Sequence, residues 1–70
     1  MDKIGEKIAN SIKQARREAK LSQTELAQKI GVTHASISYW ENGINIPNVK
    51  DCWLIANVLG ISIDELVGKE

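Results

Sequence analysis

The stretch "SQTELAQKIGVTHASISYWENG", residues 22–43, predicts two short helices joined by a tight turn. At its start, Ser22 can accept a hydrogen bond from the amide of Glu25 while the Glu25 carboxylate accepts one from the amide of Ser22, and this reciprocal pair caps a helix. Gly31 suits the left-handed conformation in which helices commonly end. The first helix of the pair is therefore predicted over residues 23–30.

The second helix of the pair is predicted over residues 34–42, with Thr33 as its N-cap. Ile37 and Trp40 share one side of this helix, and that side is expected to face a core. The opposite side carries no carboxylate, Lys or Arg: it holds His34, Ala35, Ser38, Tyr39 and Asn42. Because a surface helix of a small protein usually shows charged residues to water, this face is expected to dock against another molecule.

Three further helices are predicted, over residues 3–19, 49–59 and 63–67. In the first, apolar residues at three- and four-residue steps are expected to face the core: Ile4, Ile8, Ile12, Ala15 and Ala19. In the second, the inward side is expected to hold Val49, Cys52, Trp53, Ile55, Ala56 and Leu59. Because the connections are too brief for an up-and-down bundle, the predicted fold class is all-α, a compact orthogonal array of five helices in one domain over residues 1–70.

The composition excludes several classes of protein. The 70 residues suffice for one domain with a small core, and a single Cys52 with a single His34 forms neither a disulfide nor a zinc site, so no metal and no cofactor is expected. No run of about 18 apolar residues could span a membrane, and the charged N-terminus is unlike a signal peptide, so a cytoplasmic location is expected. With no Gly-rich phosphate loop and no paired nucleophile and base, the chain is not expected to be an enzyme.

The net charge of the chain is zero, but the charges are unevenly distributed. Residues 1–20 carry six cations against three acids, a net charge of +3, and the remaining residues balance it. A charged helix is most often a solvated face, so this charge alone does not indicate nucleic-acid binding.

The spacing of small and apolar residues around the turn matches a known motif. Counting Gln23 as position one, the small Ala27 falls at position five and Gly31 at position nine. Positions four, eight, ten, fifteen and eighteen are apolar: Leu26, Ile30, Val32, Ile37 and Trp40. Together with "WENG" and "IANVLGISIDEL", this pattern resembles the helix-turn-helix domain of the lambda repressor and Cro, the XRE family, over nearly the whole chain. The resemblance implies that the second helix of the pair lies in the major groove of DNA and that the first spans the backbone.

The resemblance also implies roles for individual residues. The residues that would contact base edges are His34, Ala35, Ser38 and Tyr39. Those that would contact phosphates are Gln23, Thr33, Asn42 and Arg17. The low charge of the face then has a reason, because phosphates repel carboxylates while short polar groups can pair with base edges. The resemblance further implies a structural ion pair between Arg16, at the edge of the apolar side of the first helix, and Glu41.

Two regions depart from the family pattern. The loop "INI", residues 44–46, stands where such domains often carry cations toward phosphate, and fewer cations predict weaker nonspecific binding. Leu54 and Val58 are predicted on the outward side of their helix, where an exposed apolar pair indicates an interface. The predicted homodimer interface comprises Leu54, Val58, Ile63 and Leu66.

These observations predict a sequence-specific regulator of transcription that binds double-stranded DNA and reads an operator half-site with its third helix. Repression is the common mode of the family, and one such helix reads only a few base pairs, so the prediction is a homodimeric repressor on a two-fold symmetric operator. The alternative is a protein-interaction module of the antitoxin or adaptor kind that binds through Ile44, Ile46, Leu54 and Val58. The neutral net charge favours the module, and the uncharged recognition face disfavours it.

Overall fold

The helix-turn-helix pair is present, and three helices pack around it. The computed structural model describes residues 3–68, and within them five α-helices follow in chain order. Their bounds are α1 Lys3–Glu18, α2 Gln23–Ile30, α3 His34–Glu41, α4 Val49–Leu59 and α5 Ile63–Leu66. The predicted all-α fold class is confirmed, with α1, α3 and α5 each ending one residue earlier than predicted. The predicted domain of residues 1–70 also includes residues 1–2 and 69–70, which lie outside the described residues.

Capping hydrogen bonds fix where α2 begins and ends. The Glu25 amide donates to Ser22 Oγ at 3.0 Å, and the Ser22 amide donates to Glu25 Oε1 at 2.8 Å. The bond from the Ser22 amide is the main reason that the pKa of Glu25 lies below its ordinary value of 4.5. Gly31 takes a φ of 78°, in the left-handed region, and its amide donates to the Ala27 carbonyl. The chain therefore leaves α2 in a sharp turn that leads directly into α3.

One apolar cluster joins all five helices. Its buried members are Ile8, Ile12, Leu26, Ala27, Ile30, Ile37, Trp40, Ile55 and Leu66. Both α1 and α2 pack against α3, α4 packs against α2, and α5 packs against α1 and α4. Ile37 and Trp40 are buried as predicted. Because the neighbouring helices cover that side of α3, the opposite side stays at the surface.

The rotation of α4 about its axis differs from the prediction. Val49 and Trp53, expected in the core, are 88% and 58% exposed. Leu54 and Val58, expected at the surface, are half-buried and pack against the core cluster. The prediction was wrong because α4 packs against three helices, α1, α2 and α5. Much of the circumference of α4 is therefore buried, and the spacing of its apolar residues does not show which side faces outward.

Three other apolar residues also differ from their predicted places. Leu66, expected in a dimer interface, is fully buried, because α5 packs against both α1 and α4. Of the four predicted interface residues, Ile63 is the one that is exposed. Ile4 and Ala19 are exposed rather than in the core. Ile4 lies in the first turn of α1 and Ala19 directly follows the helix, and α3, which packs against α1, is half as long.

The predicted ion pair between Arg16 and Glu41 is present, and it joins α1 to α3. Arg16 Nε donates to Glu41 Oε2 at 2.6 Å, and a terminal guanidinium nitrogen donates to Glu41 Oε1 at 3.0 Å. The other terminal nitrogen donates to the Leu21 carbonyl at 2.8 Å. The hydrogen bonds to Glu41 raise the pKa of Arg16, which stays charged. Because the Glu41 side chain is only 2% exposed, removal of its partner would leave a buried charge uncompensated.

We expect Leu66→Ala to lower the free energy of unfolding by about 2–5 kcal/mol, because it removes a fully buried side chain and leaves a cavity. Ile63→Ala, in the same helix but exposed, is the matched control and should cost about 1 kcal/mol or less. Urea unfolding followed by circular dichroism measures both. Equal losses would contradict the placement of Leu66 in the core.

Arg16→Ala should destabilise the protein by about 3–5 kcal/mol, because the Glu41 carboxylate then lies buried without its cation. The neighbouring Arg17 is exposed, so Arg17→Ala should change the free energy of unfolding by about 0.5 kcal/mol or less. Arg16→Lys keeps a positive charge but cannot form two parallel hydrogen bonds to the Glu41 carboxylate. Its loss of unfolding free energy should therefore lie between those of the two alanine variants. Thermal unfolding tests the series, and equal midpoints for the two alanine variants would refute this role for the ion pair.

Candidate nucleic-acid interface

The exposed face of α3 lies opposite the core. His34, Ala35 and Tyr39 are exposed on it, and Ser38 is half-buried. The charged side chain of Glu41, at the end of α3, is buried and paired, so the face presents no carboxylate. A helix with this surface can approach a polyanionic groove without repulsion and offers imidazole, hydroxyl and methyl groups to base edges.

The first turn of α3 is held by its N-cap. Thr33 Oγ1 accepts from the Ser36 amide at 3.1 Å and lies 3.0 Å from Ser36 Oγ. The first amides of a helix have no acceptor within it, and the helix dipole adds partial positive charge there. The starts of α2 and α3 can therefore bind phosphate oxygens without a formal cation. Thr33, for which a phosphate contact was predicted, is exposed at this place.

Asn42, the C-cap of α3, is exposed, but its amide group is already engaged. Nδ2 donates to the Ser38 carbonyl at 2.8 Å and to Ser38 Oγ at 3.3 Å. These bonds use the donors that a phosphate contact requires, because phosphate oxygens only accept. The Asn42 side chain would therefore have to rearrange to contact a phosphate. Without rearrangement, its Oδ1 can accept a hydrogen bond from the amino group of a base.

Gln23, the first residue of α2, is tied to the end of α3. Its Nε2 donates to Glu41 Oε1 at 3.1 Å, and this oxygen also accepts from Arg16. One of the two amide hydrogens of Gln23 remains to donate to a phosphate. The sequence did not predict the bond to Glu41, since the two residues are 18 positions apart and nothing in their spacing pairs them.

Two cations of α1 are placed differently with respect to α3. Lys13 lines a shallow cleft whose other side includes Glu41 and Asn42, at the end of α3. Arg17, for which a phosphate contact was predicted, lines a groove whose described walls come from α1. The structure thus brings Lys13 to the candidate interface, and sequence reasoning missed it because only the packing of α1 on α3 puts the two together.

Cys52 is the single cysteine of the chain, and it is half-buried. Burial raises the pKa of the Cys52 thiol, which donates to the Pro47 carbonyl, so the thiol is protonated at neutral pH and is a poor nucleophile. Among residues 3–68, no three His, Cys, Asp or Glu side chains are grouped closely enough to hold a metal ion. Within the same residues, no helix is long and apolar enough to cross a membrane.

Known proteins match this chain in sequence and in structure. The family described as helix-turn-helix matches residues 12–66. The cryptic phage CTXphi transcriptional repressor RstR of Vibrio cholerae is 36% identical over 67 residues, which are 96% of this chain. The chain spans 56% of the length of that repressor.

Two solved structures share the fold. The P22 c2 repressor in complex with a synthetic operator superposes with a TM-score of 0.85 at 27% identity, over 90% of this chain and 96% of that one. The hydroxypropylphosphonic acid epoxidase of S. wedmorenis superposes with a TM-score of 0.86 at 30% identity, over 94% of this chain but 35% of the enzyme chain. The fold therefore also occurs as a part of a larger enzyme.

These matches agree with the arrangement of α2 and α3. The family match covers α2, the turn and α3 completely, together with α4, α5 and the second half of α1. The Vibrio cholerae relative and the P22 protein are both repressors. The chain belongs to the helix-turn-helix family, in its lambda repressor and Cro-type, or XRE, group.

Proposed function

We propose that this protein is a sequence-specific transcriptional repressor that binds double-stranded DNA and reads an operator half-site in the major groove with α3. The observation that carries the proposal is the exposed face of α3, which is free of carboxylates while the opposite side is fixed in the core. The relatives support it, since one is a phage repressor and another was crystallised with a synthetic operator. In helix-turn-helix proteins the second helix of the motif enters the major groove.

Tyr39 and His34 are the proposed principal readers of base edges. Both are exposed on α3, and Tyr39 combines a ring that can pack on a thymine methyl with a hydroxyl that can donate or accept. Ala35 is small enough for close approach, and its methyl can also meet a thymine methyl. Ser38 is half-buried and reaches bases only where α3 lies deep in the groove.

Contacts to phosphates would position α3 in the groove. Gln23 has one amide hydrogen left after its bond to Glu41, and Thr33 lies at the exposed start of α3. Arg17 supplies a cation from α1, and we add Lys13 because it borders the end of α3. Since few of these groups are cations, the proposal includes a shallow dependence of the affinity on salt.

Three consequences belong to the proposal. The repressor acts by occupying DNA, so its function calls for no catalytic step, metal or cofactor. It acts where the DNA is, which we take to be the cytoplasm. A single α3 reads only a few base pairs, so the operator is proposed to be two-fold symmetric and to bind two copies.

A second candidate function is a protein-interaction module of the antitoxin or adaptor kind. The observation in its favour is the apolar loop after α3, where Ile44 and Ile46 are exposed. Salt dependence separates the two functions, because binding to DNA releases counterions. If the protein is retained on a mixture of duplex DNA fragments and this retention does not change with salt concentration, the result would favour the protein-interaction module.

Selection from random duplexes should yield a two-fold symmetric site for the wild-type chain. Tyr39→Ala should weaken binding to that site by about 1–3 kcal/mol and relax the preference at one position of each half-site, because it removes a base contact. Fluorescence anisotropy at several salt concentrations measures the affinity for matched and altered duplexes.

Arg17→Ala is the control for this experiment, because loss of a phosphate contact should weaken all duplexes alike and lower the salt slope by about 1. If Tyr39→Ala weakened binding to all duplexes equally, Tyr39 would be reassigned from a base contact to a contact with the phosphate backbone of the DNA. A wild-type chain that binds no duplex in a salt-dependent manner would refute the proposed function as a whole.

A further inference from the structure

His34 is the first residue of α3, and its imidazole ring is exposed at the surface. Among residues 3–68, no hydrogen bond or ion pair engages the ring. Two other residues of the candidate interface, Gln23 and Asn42, already use amide donors within the protein. His34 therefore offers both of its ring nitrogens to DNA.

The charged groups that α1 brings toward α3 lie away from His34. Arg16 is paired with Glu41, and Glu6 and Lys13 line the cleft beside Glu41. Because Glu41 follows His34 by seven residues, it lies about 10 Å farther along the helix axis. Dissolved salt screens exposed charges over about 8 Å at physiological ionic strength. None of these groups is therefore a close ionic partner for His34.

The charged groups of α2 do not supply an anion for His34 either. The one acid of α2, Glu25, lies in its first turn, and that end of α2 is bonded to the end of α3 through Gln23 and Glu41. The last turn of α2, which leads into the start of α3, carries a cation, Lys29. Within the described residues, no acid is thus paired with His34 to hold a proton on the imidazole in the free protein.

DNA supplies the anions that the protein lacks at this place. Each phosphate is negatively charged, and an anion within about 4–6 Å favours the charged form of a histidine by about tenfold or more. A neutral imidazole has one donor and one acceptor, whereas an imidazolium ion has two donors. Because phosphate oxygens only accept, the imidazolium ion can donate to a phosphate and still donate to a base.

The base that suits a second donor is guanine. In the major groove guanine presents two acceptors, N7 and O6, and no donor. Adenine and cytosine each present an amino donor there, and thymine presents a methyl group beside its one acceptor. An imidazolium ion, which has no acceptor, therefore pairs better with guanine than with the other three bases.

We infer that operator binding protonates His34, which then donates one hydrogen bond to a guanine and another to a phosphate. The inference rests on the proposed function and deepens it, because it names the base that His34 selects and makes the affinity depend on pH. The proton comes from solvent, and no covalent bond in the DNA changes. Histidine is the side chain that ordinarily changes charge between pH 5 and 8. Because binding takes up a proton, the affinity is higher at the lower end of this range and falls as the pH rises.

Fluorescence anisotropy with a selected operator duplex tests the inference at constant salt concentration. The Kd of the wild-type chain should rise about three- to tenfold from pH 6 to pH 8. His34→Gln cannot gain a charge, so its Kd should be nearly independent of pH. His34→Arg carries a charge and several donors at every pH of this range, so its Kd should also stay nearly constant while the preference for guanine remains. Tyr39→Ala is the matched control on the same face, and it should weaken binding but keep the pH dependence of the wild type.

Calorimetry in buffers of different ionisation enthalpy counts the protons that binding takes up. At pH 7 the wild-type chain should take up more protons than His34→Gln, and replacement of the selected guanine by adenine should lower this uptake. Equal pH profiles and equal proton uptake for the wild type and His34→Gln would overturn the inference, and so would selected half-sites without a guanine. In both cases the chain still binds DNA, and the proposed function stands. A wild-type chain that binds no duplex at any pH between 6 and 8 would instead refute the proposed function, and the inference with it.

Discussion

One buried carboxylate fixes the relative positions of the three helices around the candidate interface. Glu41 lies at the end of α3 and accepts hydrogen bonds from Arg16 of α1 and Gln23 of α2. An ionised group away from water is costly unless its charge and lone pairs are satisfied. A packing that slides α3 along α1 or α2 would break these bonds and leave the charge alone. The network therefore acts mainly by disfavouring other arrangements of the three helices, since a buried ion pair adds little net stability.

The same network connects the core to the candidate interface. Gln23 is at once a partner of the buried Glu41 and the first residue of α2, where helix amides face outward. The apolar side of α3 is fixed by Ile37 and Trp40, so its exposed side has a defined direction. A rigid helix with a neutral face gains specificity from base edges, while the modest number of nearby cations limits nonspecific attraction.

Features that depend on neighbouring residues in the chain could be predicted from the sequence. Ser22, Glu25 and Gly31 fix the limits of α2 through hydrogen bonds and a backbone conformation that span only a few residues. The bounds of all five helices were accordingly predicted to within one residue. The orientation of α3 could also be predicted, because its packed neighbours cover a single side and its apolar residues mark that side clearly. The placement of the residues proposed to read bases follows from this orientation.

Other features depended on how distant elements meet. The sequence shows that α4 is apolar on more than one side, but only its packing against three helices decided that Leu54 and Val58 turn inward while Val49 and Trp53 face outward. The bond between Gln23 and Glu41 and the position of Lys13 beside the end of α3 likewise arise from packing between helices. The sequence by itself determined which helices form, which side of α3 is exposed and which family the chain resembles. Tertiary structure alone decided which apolar residues remain at the surface, because burial depends on the number and direction of neighbouring helices and not on local periodicity.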